Sequence, residues 1–183
     1  MMKSIVEEKL VSFKELEQKI FKYVCELDRE MTQFMLEAYD EELTVSRDTK
    51  QYRDKGKRKT TIKTVYGEVE YRRRIYQTTM EDGRKAHVYL LDKAMHMDKI
   101  GLISTNLAEK LAMTVTESPY RVTADIICST CGQSISMGGV WNVMQRLGER
   151  ISEEEKYAVR QMKAEQPSGK DHDGRYGKER RIP

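Results

Sequence analysis

Polar side chains that can bond to base edges recur near the carboxyl-terminal end of the sequence. Asn142 lies three and four residues before Gln145 and Arg146, so the three share one face of a helix. Asn, Gln and Arg can each make paired hydrogen bonds to one base. Ser134 or Ser136 can cap the start of this helix, where backbone N–H groups attract phosphate. The pattern predicts a DNA-reading helix, although the solvent face of an ordinary helix fits it equally well.

A second group of side chains suits phosphate contacts, which position a protein on DNA without reading its sequence. Residues 50–74 hold ten Lys or Arg against three Asp or Glu, a local charge of +7, whereas residues 1–44 carry −5. An edge strand protected by charge against aggregation is the competing interpretation. The predicted contacts are two basic triplets, Lys57, Arg58 and Lys59, and Arg72, Arg73 and Arg74.

Metal and catalytic chemistry have less support in the residue pattern. Cys128 and Cys131 have the spacing of half a zinc site, but no second pair of ligands follows them. Together with Cys25 they make an odd number of cysteines, which fits reduced thiols. We therefore predict buried thiols at a helix end, with no catalytic residue, no metal ligand and no cofactor in this chain.

The DNA-reading helix belongs to a predicted helix-turn-helix over residues 118–150, with a tight turn at Gly132. Val140, Met144, Leu147 and Ile151 make one apolar stripe of the second helix, and Trp141 is predicted to be a packing residue. A third helix over residues 100–114 would support the pair. Its predicted core residues are Leu102, Ile103, Leu107, Leu111 and Met113.

The period changes from about 3.6 to 2 in the preceding region, which predicts a β-hairpin around Gly67. Val69, Tyr71 and Arg73 would share one face of the second strand, and Arg72 and Arg74 the other. A turn at residues 82–83 and a third strand over residues 87–91 complete a short antiparallel sheet.

One long amphipathic helix, or two helices with a break, opens the chain, because apolar residues recur every three or four positions from Val6 to Ala38. It is either a dimerisation or domain-bridging helix or a core helix, and the loose 3.5-residue spacing favours the core helix. The fold class is therefore α+β, mainly α. Its segments are a long helix at 1–46, a basic antiparallel hairpin or sheet at 50–92, a helix-turn-helix domain at 99–163 and a disordered tail at 164–183.

Composition sets the broad class of the protein. Hydrophobic residues make up 38% and charged residues 34% of the 183 residues, which is polar but sufficient for a core. The sequence contains no apolar run of membrane-spanning length. Its first residues lack the apolar centre of a signal peptide. These features predict a cytoplasmic protein without a membrane partner.

Several long stretches of this sequence resemble ISLre-type insertion-sequence transposases, and the resemblance extends from the amino terminus to about Glu165. The stretches that carry it are residues 53–71, 99–110, 114–123 and 138–142. The resemblance implies that this part binds double-stranded DNA at the element ends. It also implies a downstream RNase H-like core that uses Mg²⁺.

Because the family-like sequence stops near Glu165, we expect a truncated or frame-shifted copy that lacks the catalytic carboxylates. The predicted function is DNA binding without transposition chemistry, in a homodimer or paired with a full-length transposase. Two other functions fit the same elements. One is a small helix-turn-helix transcription regulator, and the other is a helical interaction module without nucleic acid.

Overall fold

The computed structural model of the protein describes residues 12–97 and 102–165. It is a mixed α+β fold, mostly helical, as the sequence predicts. The chain divides into two compact units, residues 1–147 and 148–183. In order, the elements are α1 (Phe13–Ser46), β1 (Arg53–Thr64), β2 (Gly67–Thr79), β3 (Lys85–Val88), α2 (Leu90–Ala94), α3 (Thr105–Glu117), α4 (Tyr120–Thr130) and α5 (Met137–Glu165).

Most of the predicted tail, residues 166–183, lies outside the described residues. Its first two residues, 164 and 165, belong to α5. No helix within the two described ranges is long and apolar enough to span a membrane.

The three strands form an antiparallel sheet in the order β1-β2-β3. Thr64 pairs with Gly67 to close the predicted hairpin, and Gly67 has a φ of +125° that suits glycine. The third strand ends at Val88, three residues earlier than predicted. The chain then enters α2, because Leu91 is fully buried against Val69 and Tyr71 from that helix.

Helix α1 runs from Phe13 to Ser46. Ser12 caps its start, since the side-chain oxygen of Ser12 accepts the N–H of Glu15 at 3.3 Å. One face packs on the sheet, where Leu36 joins Ile62, Val69 and Tyr71 in a hydrophobic cluster. The core-helix interpretation therefore describes one face of α1 only, since several large apolar side chains elsewhere on it are exposed.

Carboxylates of α1 also cover the edge of β2 that β3 leaves open, because β3 pairs only with residues 76–79. Glu37 accepts the backbone N–H of Arg72 at 2.9 Å. Asp40, 1% exposed, accepts that of Arg74 at 3.1 Å with both oxygens. Burial raises the pKa of Asp40, and the Arg74 N–H opposes that rise. The helix thus satisfies strand donors that another strand would otherwise take.

Helices α3, α4 and the start of α5 pack around one apolar core, which confirms the predicted three-helix group. Two residues predicted for this core are exposed instead: Leu102 precedes α3, and Met113 points away from Leu107 and Leu111. The buried residues of the core are Ile103, Leu107, Leu111, Ala124, Ile127, Cys131, Ile135 and Val140.

The connection between α4 and α5 differs from the tight turn that the sequence predicts. It is the six-residue segment Cys131–Ser136, longer than the usual helix-turn-helix turn. Gln133 and Ile135 are buried, and the N–H of Gly132 donates to the carbonyl of Val65 at 2.8 Å. The segment is extended because it packs against the tip of the hairpin as well as joining two helices.

Candidate nucleic-acid interface

The exposed face of α5 carries the side chains predicted to read bases. Ser136 caps the helix, since its side-chain oxygen accepts the N–H of Gly139 at 3.1 Å. Val140 is fully buried and fixes the rotation of the helix about its axis. Asn142, Gln145 and Arg146 are therefore brought together on the solvent side. Three hydrogen-bonding side chains on one exposed helix face can reach the floor of a DNA groove.

Trp141 is 48% exposed beside this face, so its prediction as a packing residue is wrong. Val143 and Met144 pack against the core together with the buried Val140, whereas Ile151, the last residue of the predicted apolar stripe, is exposed. Trp141 follows Val140 by about 100° around the helix, which leaves its ring at the border of the exposed face.

Strand β1 forms the second part of the candidate interface. It is an edge strand with six Lys or Arg and one Asp among twelve residues. Arg58 and Arg72 are exposed and make no ion pair within the described part of the chain. Lys59 pairs with Glu70 at 2.7 Å, and Lys57 pairs with Glu41. These pairs are exposed and hence weak, so both lysines remain able to turn to a phosphate.

Arg73 does not belong to this surface. Its side chain is 10% exposed, forms an ion pair with Asp92 and lies over the ring of Tyr89, 3.9 Å from the ring centre. Strand alternation places it beside Tyr71 on the core side of the sheet. The prediction that Arg73 contacts phosphate is therefore wrong, and Arg73 has a structural role.

Arg74 is also held within the protein. Its guanidinium contacts Glu41 and Asp54 at 2.9 Å each. Hydrogen bonds from Lys57 and Arg74 lower the pKa of Glu41. The N–H of Gly56 is the main cause of a lowered pKa at Asp54, helped by Arg74. Arg74 thus anchors the bulge in β1 to α1, and of the second triplet only Arg72 stays exposed and unpaired among the described residues.

The two parts of the candidate interface, the exposed face of α5 and the basic residues of β1, are separated in space. The helical bundle meets the hairpin tip through Lys63, whose N–H donates to Leu102 and whose carbonyl accepts from Ser104, at 2.9 and 2.8 Å. Lys59 is five residues from Thr64, about 17 Å along an extended strand. The structure therefore brings the α5 residues together as one patch. The second, basic patch lies along the β1 edge, with Lys57, Lys59 and Arg72 on one face of the sheet and Arg58 on the face of its pair Arg73.

The thiols follow the prediction in part. Cys25 and Cys131 are buried, and burial raises the pKa of Cys25. Cys128 is exposed, contrary to the prediction, and its sulfur accepts the N–H of Ile135 at 3.4 Å. Across residues 12–97 and 102–165, no three His, Cys, Asp or Glu side chains are grouped to hold a metal ion.

Comparison with known proteins places this sequence in a family. The model of UPF0236, described as an uncharacterised protein family, matches residues 6–170. The chain belongs to the UPF0236 family. Two UPF0236 proteins of Caldanaerobacter subterraneus subsp. tengcongensis are 28% and 27% identical to it over 139 residues. The match covers 74% of this chain and 28% of each relative. No solved structure matches.

Two carboxylates that hold arginines of β2 within the fold of this UPF0236 chain were missed in the sequence. Asp92 pairs with Arg73, and Asp40 holds the strand edge at Arg74. A signal existed for the first pair, because the alternation of β2 puts Arg73 on the apolar face, where a buried charge requires a partner. No local signal indicates Asp40, which lies 34 residues from Arg74.

Proposed function

We propose that this UPF0236 chain is a cytoplasmic protein that binds double-stranded DNA, as the amino-terminal DNA-binding part of an insertion-sequence transposase. The observation that carries the proposal is the exposed edge strand β1, with six basic residues and one acid. Such a density of cations along one strand attracts a phosphate backbone and releases its counterions. The exposed Asn142, Gln145 and Arg146 on α5 supply the proposed sequence reading.

The resemblance to ISLre-type transposases supports the transposase part of this proposal. The chain spans 28% of the length of its curated UPF0236 relatives. The proposal assigns recognition of element ends to this portion and the Mg²⁺-dependent chemistry to the remainder of such a longer protein. Within the portion described, the buried carboxylates Asp40 and Asp92 are occupied by strand N–H groups and by Arg73. They do not suit a metal site.

Neutralising the exposed basic patch should weaken binding to all DNA sequences alike. We expect the triple variant Arg58→Gln, Lys59→Gln and Arg72→Gln to reduce the salt slope of log K against log [salt] by up to about three units, because each lost phosphate contact removes about 0.9. Fluorescence anisotropy with a random-sequence duplex, repeated at several salt concentrations, measures this slope. The control, Lys14→Gln, Lys22→Gln and Lys85→Gln, removes equal charge elsewhere, and an equal slope change in both variants would contradict the proposed patch.

Removing a reading side chain should relax sequence selection at single positions. We expect Asn142→Ala, Gln145→Ala or Arg146→Ala each to cost roughly 1–3 kcal/mol of discrimination at one base pair. Selection from a random-sequence duplex pool gives the preference of each variant. Asn106→Ala, an exposed Asn on α3, is the matched control. Unchanged selectivity in all three α5 variants would remove this helix from the reading role.

The purified chain is expected not to cut DNA by itself. Two-metal phosphoryl transfer needs converging carboxylates that hold metals about 4 Å apart, and the proposal places these in the longer relatives. Incubation of supercoiled plasmid with the chain and Mg²⁺ or Mn²⁺ tests the expectation. Nicking that disappears when an acidic residue of this chain is replaced would contradict it.

A further inference from the structure

Helix α1 carries a second apolar stripe that the sheet does not cover. Successive apolar residues of this stripe, from Ile20 to Phe34, are four, three, four and three positions apart, which is the seam spacing of a coiled coil. On a helical wheel of 100° per residue the stripe lies about 150° from Cys25 and Leu36, which face the sheet. The exposed fractions of its side chains run from 43% to 74%, at Ile20, Val24, Leu27, Met31 and Phe34.

The length and composition of the stripe indicate that it packs against another helix with the same apolar spacing. Five large apolar side chains in a row along about 21 Å of helix are more than a monomer normally leaves in water. Seam positions of this kind insert between side chains of a facing helix. Within the described chain, the helix with this exposed seam is α1 itself, and the seam of a second copy is therefore the matching surface.

Charge along α1 selects the direction of pairing. Residues 13–24 hold three Lys against two Glu, whereas residues 26–37 hold one Arg against four Asp or Glu. A parallel pair would place the acidic halves side by side and put Glu17, at a seam position, opposite its own copy. An antiparallel pair places each basic half beside an acidic half, which is favourable electrostatically.

We propose that two copies of this chain associate through an antiparallel pairing of their α1 helices, with the two-fold axis between Val24 and Leu27. In this register Val24 of one copy meets Leu27 of the second, and Ile20 meets Met31. At the ends, the large Phe13 meets the small Ala38. The pairing is isologous, as in a two-fold homodimer, and it stands independently of DNA binding.

The oligomeric state of the full chain tests the surface. Light scattering and sedimentation should give twice the chain mass of 21.4 kDa. Met31→Glu should raise the dimer dissociation constant at least tenfold, whereas Met113→Glu, at an exposed Met on α3, should leave it unchanged. A monomer at 100 μM, or equal effects of both variants, would overturn the proposal. The proposal would also be overturned if the chain paired only with a longer UPF0236 protein and not with a second copy of itself.

Cysteine cross-linking tests the direction, in a Cys128→Ser background that removes the exposed native thiol. Ile20→Cys protein mixed with Met31→Cys protein should form a disulfide-linked dimer. Neither should link to itself, because an antiparallel register offsets like positions by 11 residues, about 16 Å, beyond the roughly 7 Å limit between Cα atoms. Self-linking of Ile20→Cys would indicate a parallel pair, and no link in the mixture would overturn the seam.

Discussion

Replacing Arg73 by Met is expected to lower the free energy of unfolding by about 3 kcal/mol. Arg73 and Asp92 are 10% and 14% exposed at their side chains and pair with each other. Removing one partner of a buried pair leaves an uncompensated charge, which costs about 3–5 kcal/mol. The variant also loses the contact of the guanidinium with the ring of Tyr89. Chemical denaturation with a linear extrapolation measures the change.

Arg72→Met is the matched control, because Arg72 is the next residue and points to the opposite, exposed face of the sheet. We expect a change within 0.5 kcal/mol in stability and a weaker DNA affinity. The double variant Arg73→Met and Asp92→Leu should recover most of the lost stability, because apolar replacement of both partners is often neutral. Equal stabilities of the Arg72 and Arg73 variants would contradict the structural role of Arg73.

Gly132→Ala is expected to lower the free energy of unfolding by about 2–3 kcal/mol, at the upper end of overpacking effects. A Cβ atom at this position would overlap the carbonyl oxygen of Tyr66 and lie 2.7 Å from its carbonyl carbon and 2.9 Å from the sulfur of Cys25. Backbone atoms of the hairpin must move to admit it. Thermal and chemical unfolding of the variant give the magnitude.

Gly138→Ala provides the comparison at a glycine in the first turn of α5, where a Cβ meets nothing within 4 Å. Alanine is favoured over glycine in helices by about 1 kcal/mol, so this variant should be as stable as the parent chain or more so. If Gly132→Ala matched it, the close approach between the connector and the hairpin tip would be wrong.

The residue pattern predicts the elements well where periodicity decides them. The hairpin at Gly67 and the exposed side of α5 follow from local spacing. It also places Arg73 with Val69 and Tyr71, yet the dense local charge suggested a phosphate contact. The ion pair with Asp92 shows that Arg73 has a structural role and is not a phosphate contact. The sequence does not identify Asp92 as the partner, because the pair forms only in the folded sheet.

Periodicity is less informative where one helix has two apolar faces. The apolar residues of α1 include Leu36, which packs on the sheet, and Leu27, which is 43% exposed. Spacing alone does not distinguish a covered face from an open one, so the sequence left the core helix and the dimerisation helix as alternatives. Gly132 raises the same difficulty, because a turn and a close approach of two backbones both require glycine. DNA binding itself stays a prediction.

The contact between the hairpin tip and the α4–α5 connector restricts how family members can vary in length. Surface loops usually tolerate insertions independently of one another. Here the two-residue tip, Val65 and Tyr66, lies against Gly132, and the N–H of Gly132 donates to the carbonyl of Val65. An added residue in either segment displaces the other. We therefore expect insertions and deletions at these two sites, although far apart in the sequence, to be coupled in proteins that keep this fold.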